Sequence, residues 1–143
     1  MDASPLEIAR YLNARETASR VWELTLVDAG PGWATVRMPA RHDMLNGHGK
    51  LHGALIFAIA DSAFAYACNS RNLSSVGFQA SVVFLAPVEE GDLLEAHARE
   101  TAGQGRSSVY AVTVINQRGE TVAAFQGISR TRGEPVIKFN NED

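Results

Sequence analysis

Asp61 lies, with Ser62, inside an otherwise apolar run from Ala54 to Cys68. A carboxylate in such a segment is rarely kept unless it is paired, hydrogen-bonded or put to chemical use. His52-Gly53 comes just before the run, and the loop-like Asn46-Gly47-His48-Gly49 precedes that pair. If the run is a helix starting at Gly53, the Gly53 N–H is an unpaired donor at the positive end of the helix dipole. Glycine places no side chain between that N–H and an approaching carbonyl oxygen. This arrangement suits oxyanion stabilisation in acyl transfer.

Helical rise sets a constraint on the pair. The eight residues from Gly53 to Asp61 climb about 12 Å of helix, too far for one scissile carbonyl to meet both groups. Two antiparallel copies of the helix around a two-fold axis would bring each Asp61 near the other copy's Gly53. A composite site shared between subunits is therefore expected.

The elements that must position these residues follow from patterning. Ser4 as N-cap, Pro5 at the first helical position and Glu7 near the positive end open a helix over Pro5–Arg15. Alternation predicts strands at Val21–Val27 and Trp33–Met38, joined as a hairpin through Gly30-Pro31-Gly32. Arg41–Leu51 reads as a loop. Gly53–Asn69 is Ala-rich, lacks proline and is too long for a strand, so it reads as a helix. Four further strands are expected at Val76–Phe84, Leu93–Glu100, Ser107–Ile115 and Thr121–Arg130. In the first of these, Val76, Phe78, Ala80, Val82 and Phe84 would share one face, opposite Gly77, Gln79 and Ser81. Short turns between consecutive strands demand antiparallel pairing. The expected class is α+β, a single domain over residues 1–143 with the sheet wrapped around a long central helix. A helix apolar on every side must be buried on every side, and one sheet cannot achieve that, so an obligate oligomer is expected.

Bulk properties exclude several classes. Of 143 residues, 45% are hydrophobic and 20% charged, with net charge −3, ordinary for one soluble globular domain. No basic stripe points to nucleic acid or an anionic membrane. The N-terminus lacks the apolar core of a signal peptide, and Asp61 at the centre of the longest apolar run argues against a membrane span. A cytoplasmic protein is expected. The single Cys68 reads as a small core residue. His48 and His52 have the i,i+4 spacing of a zinc pair, but glycines flank His48 and no third ligand is suitably placed, so no metal is expected. His42-Asp43 reads as solvated loop. Gly-x-Ser-x-Gly is absent, which argues against an α/β-hydrolase route.

The stretch Asn46-Gly47-His48-Gly49-Lys50-Leu51-His52-Gly53-Ala54, followed by Ile59-Ala60-Asp61-Ser62-Ala63-Phe64-Ala65-Tyr66-Ala67-Cys68-Asn69, resembles the hotdog-fold acyl-CoA thioesterases, most closely the phenylacetic acid degradation (PaaI) type. Further similarity extends through Phe84-Leu85-Ala86-Pro87, Gly105-Arg106-Ser107 and Val122-Ala123-Ala124-Phe125-Gln126-Gly127. The resemblance implies a dimer with a continuous sheet, assembling into a homotetramer, and hydrolysis of an acyl-CoA thioester without a cofactor. Asp61 corresponds to the acidic catalytic residue, as general base or nucleophile. Gly53 corresponds to the group polarising the thioester carbonyl, and Asn46 and His52 to residues that position substrate or water. Aromatic acyl groups such as phenylacetyl or hydroxyphenylacetyl, in aromatic catabolism, are implied as substrate. The family's second glycine after His52 is Ala54 here, whose methyl is expected to narrow the acyl pocket. Some relatives carry a hydroxyl on the strand after the helix, for which Ser81 is a substitute to test. Arg106, Arg130 and Arg132 are candidates for coenzyme A phosphates. The alternatives are a hotdog hydratase or dehydratase of 3-hydroxyacyl thioesters, using Asp61 with His52, and a non-catalytic acyl-CoA-binding protein. The latter would be expected to carry an effector segment for which the length leaves little room.

Overall fold

The computed structural model describes residues 2–139. Helix α1 spans Pro5–Arg15, closed at its start by a complete capping box: the Ser4 hydroxyl accepts from the Glu7 N–H, and the Glu7 carboxylate accepts from the Ser4 N–H. The chain then departs from expectation. Residues 18–21 form a short helix, α2 (Ala18–Val21), and the first strand, β1, begins only at Thr25 and runs to Gly30. Glu23 takes a left-handed φ of 52°, and the Leu24 N–H donates to the Ser19 carbonyl. This extra turn carries the chain from α1 into the sheet. The alternation of Trp22, Leu24 and Leu26 did not distinguish a turn from a strand start.

Strands β2 (Trp33–Pro39), β3 (Ser75–Phe84), β4 (Leu93–Gln104), β5 (Ser107–Ile115) and β6 (Thr121–Thr131) complete one antiparallel sheet in the order β1-β2-β4-β5-β6-β3. β4 is longer than its alternation suggests. It continues past a bulge between Glu100 and Ala102 and turns at Gly105, whose φ of 62° favours glycine. The expected loop holds one 3-10 turn at His42–Met44 and a bridge between Leu45 and Leu51.

The long helix, α3, is Gly53–Cys68. It begins where His52 leaves extended geometry and ends at Asn69. The Asn69 side chain ties the helix end to the start of β3, donating to the Ala65 and Ser75 carbonyls and accepting from the Ser75 N–H. The helix lies across the concave face of the sheet. Ile59, Ala60, Ala63, Phe64 and Ala67 are buried against Ala34, Val36 and Met38 of β2 and Leu94 and Ala96 of β4. The Phe64 ring rests over two glycines, Gly77 of β3 and Gly127 of β6, with Tyr110 and Phe125 at centroid distances of 5.5 and 5.9 Å.

A β-bulge between Gly77 and Gln79 corrects the expected faces of β3. Gly77 meets Phe64, Ala80 pairs with Gly127, Val82 packs on the core and Phe84 approaches Gly53. The extra residue shifts the alternation by one step, so Gly77 joins Ala80, Val82 and Phe84 on the helix side. Ser81, between Ala80 and Val82, falls on the opposite side.

Within the single chain α3 is not covered all round. Ala54, Asp61 and Ala65 are exposed along one side of it. β3 beside them is a sheet edge, with Val76, Phe78, Val83 and Phe84, and Leu85 just beyond, exposed.

Candidate active site

The start of α3 is built by its own loop. The Asn46 carboxamide oxygen accepts from the N–H groups of His48 and Lys50, and the His52 N–H donates to the Met44 carbonyl. The loop is thus folded on itself and delivers His52 as the helix cap. His52 Nδ1 accepts from the Ala54 N–H at 3.0 Å, and its carbonyl accepts from the Leu55 N–H at 2.9 Å. The second and third donors of the helix are therefore occupied. The first, Gly53, has no acceptor among the described residues. Its N–H stands at the positive end of a helix with a wall of side chains beside it.

That wall borders an open cavity of about 500 Å³, lined mainly by apolar groups including Leu51, Ile56, Phe84, Pro87 and Val88, with Asn46, His48 and Lys50 at its polar side. Such a cavity is in the range that holds a small organic group. A side chain at position 53 would intrude: a Cβ there would sit 3.1 Å from the Phe84 ring. Ala54, by contrast, does not line the cavity and is exposed, so its methyl does not narrow it within this chain.

Asp61 lies elsewhere. It opens into a groove between α3 and β3, lined by Phe57, Phe64, Gly77, Phe78, Gln79 and Ala80. None of these residues lines the Gly53 cavity. Asn46 and Gly53 thus line one cavity, His52 caps the helix beside it without lining it, and Asp61 lies apart, as the helical rise requires. Although one side of Asp61 reaches solvent, the groove walls desolvate it and raise its pKa, and the nearby Glu16 charge raises it further. No cation among the described residues pairs with it.

The remaining candidates sort clearly. Cys68 is buried and its thiol is pushed up to about 12, mainly by burial, which makes it inert. Asp43 is bound by Arg41, while His42 pairs with Glu90. Arg106 lines a polar cavity of about 470 Å³ with Arg71, Glu100 and Ser108, which meets the Asp61 groove at Cys68 and Ser75. Arg130 and Arg132 line neither. Phe84 and Glu16 were not singled out from the sequence. The signal for Glu16 was indirect: Tyr66 carries a polar tip into the apolar helix and needs a partner.

An antiparallel sheet curled about one helix is the architecture of the hotdog fold. A thioesterase superfamily model matches residues 48–123. The acyl-coenzyme A thioesterase PaaI of Escherichia coli is 35% identical over 128 residues, 90% of this chain and 91% of that protein. The structure of the E. coli PaaI protein from the phenylacetic acid degradation operon superposes with a TM-score of 0.87, covering 89% of this chain and 92% of the other. A Streptococcus mutans protein solved with bound acetyl CoA, 26% identical, matches with a TM-score of 0.75 over 78% of this chain and 90% of the other. This chain belongs to the thioesterase superfamily and is an acyl-CoA thioesterase of the PaaI type. Among the described residues, no helix is long and apolar enough to cross a membrane.

Proposed function

We propose that the protein hydrolyses aromatic acyl-CoA thioesters, phenylacetyl-CoA or a ring-hydroxylated phenylacetyl-CoA, at a site completed by two copies of the chain. The observation that carries this reading is the free Gly53 N–H facing a largely apolar cavity. The thioester oxygen lies on that N–H and the aryl group fills the space bounded by Ile56, Phe84 and Val88. Asn46 and His52 hold the helix start in place, and their remaining polar atoms orient substrate and water. Asp61 comes from the second copy, whose exposed β3 edge and exposed α3 side meet their counterparts about a two-fold axis. A sheet edge carrying Val76, Phe78, Val83 and Phe84 in the open invites such pairing. Two of these dimers form the tetramer, and the cytoplasm supplies the acyl-CoA.

In the reaction Asp61 takes a proton from water as the water oxygen bonds to the carbonyl carbon. The oxyanion rests on the Gly53 N–H. It collapses as the carbon–sulfur bond breaks, and the coenzyme A thiolate leaves with the proton. Direct attack by Asp61, forming an anhydride that water then cleaves, balances equally well. The nucleotide end of coenzyme A lies toward the polar cavity containing Arg106. Thiol release from a panel of aryl and aliphatic acyl-CoAs tests the reading. Phenylacetyl and hydroxyphenylacetyl esters are expected to show the highest kcat/KM, and Asp61→Asn to lower kcat at least 100-fold, on the order expected for loss of a general base. A preference for straight-chain acyl groups would overturn the substrate class. Near-normal turnover in Asp61→Asn would overturn the mechanism.

A further inference from the structure

Phe84 ends β3 beside the head of α3. Its backbone is held on both sides. Phe84 pairs with Ala123 of β6, and the next two N–H groups, of Leu85 and Ala86, both donate to the Val122 carbonyl at 2.8 and 3.2 Å. The bulge at Gly77 puts Phe84 on the helix side of the sheet. There its Cζ lies 3.1 Å from where a Cβ on Gly53 would stand. One part of the ring thus abuts the helix head. The side chain is still 52% exposed, and it lines the Gly53 cavity.

The other walls of that cavity differ in kind. Leu51, Ile56 and Val88 are buried core residues, and Leu85 is exposed but aliphatic. Among the described residues that line the cavity, Phe84 carries the only benzene ring.

We propose that Phe84 is a specificity-determining residue: its ring recognises the aryl group of the acyl chain and separates arylacetyl from saturated acyl thioesters of the same bulk. This rests on the reading of the cavity as the acyl site and of Gly53 as the oxyanion donor. A carbonyl oxygen bonded to the Gly53 N–H lies about 2.9 Å from that nitrogen. The carbon chain attached to the carbonyl then begins next to the Phe84 ring. In a phenylacetyl group a single methylene separates the carbonyl from the aryl ring. That short spacer lets the two rings meet at the roughly 4.5–7 Å centroid distances where offset or edge-to-face pairs attract. A saturated ring of similar size fills the same apolar space. It lacks the negative face and positive edge that make the pairing favourable.

The test compares kcat/KM for phenylacetyl-CoA and cyclohexylacetyl-CoA, which differ in aromaticity more than in bulk. The wild type is expected to favour the phenylacetyl ester. In Phe84→Leu and Phe84→Met, which keep an apolar side chain, that preference is expected to fall by roughly 2–10-fold, the factor an aromatic pair contributes beyond its buried area. Phe84→Tyr keeps a ring and is expected to keep the preference. A wall that only fills space would lower both rates together and leave their ratio in place. An unmoved ratio in the aliphatic variants, with the wild type still preferring aryl thioesters, overturns the role of Phe84 and leaves the proposed function intact. A wild type that hydrolyses the two esters equally well overturns it with no variant needed. A wild type that prefers straight-chain acyl groups removes both readings.

Discussion

At the level of single residues, the Gly53 N–H is the group whose role depends least on side-chain freedom. Gly53→Pro removes that donor at the first helical position, where proline is otherwise tolerated. The added ring must displace Phe84, whose Cζ lies 3.1 Å from a Cβ at this position. Steady-state thiol release is expected to show kcat lowered about 10²–10³-fold, the usual cost of losing one oxyanion donor. An unaltered kcat would take Gly53 out of the chemistry. Asp61 carries a stability consequence as well. Burial first, and Glu16 second, raise its pKa above the ordinary 3.8. The folded chain then binds that proton more tightly than the unfolded chain, so stability falls as pH rises from the ordinary value through the raised one. Asp61→Asn is therefore expected to raise Tm at pH 7 and to lose this advantage below about pH 4, where wild-type Asp61 is itself protonated. Calorimetry at the two pH values checks both signs.

At the level of elements, the packing of α3 on β3 and β6 depends on what two strands lack. Phe64 lies over Gly77 and Gly127, and a Cβ at position 127 would stand 2.8 Å from its ring carbon. The ring is enclosed by Tyr110 and Phe125, so it has little room to retreat. Gly127→Ala is expected to destabilise the fold by about 1–3 kcal/mol, as overpacked cores do. Urea unfolding measures the loss. Combining it with Phe64→Leu, which shortens the obstructing side chain, should recover part of the stability, and no recovery would show that the strain lies elsewhere. The same contact matters for function, because Phe64 and Gly77 both line the groove that holds Asp61. The bulge at Gly77 and Gln79 keeps Gly77 on the helix side and turns Ser81 away from it. Ser81 is therefore not a substitute for the hydroxyl that some relatives place near the acid.

At the level of the whole molecule, a single chain holds both halves of the proposed site and brings them together nowhere. Co-expressing Asp61→Ala with Gly53→Pro tests the assembly. Each mixed dimer would contain one intact composite site and one doubly defective site. Random pairing should then restore about a quarter of wild-type turnover from two inactive parents, given a two-fold dimer. No recovery in a mixture shown by mass spectrometry to contain mixed dimers would refute the shared site. Much of this was legible in the sequence. Ser4, Pro5 and Glu7 marked the start of α1 because capping is a local interaction of neighbouring residues. The apolar run from Gly53 and the four later strands were readable from composition and alternation, since period and turn chemistry act over a few residues. Asp61 stood out because a charge amid apolar residues is costly wherever the chain goes. Other features depended on contacts between distant segments. The turn at Glu23 that delays β1, the bulge that reassigns the faces of β3, and the Phe84 wall beside Gly53 arise where separate elements meet. Glu16 meets the Tyr66 hydroxyl, a residue 50 positions further along the chain. By itself the sequence determined the elements and the chemical groups at the head and middle of α3. Only the tertiary structure decided which donor of that helix stays free and what surrounds the acid, because hydrogen-bond competition and desolvation depend on neighbours that only folding supplies.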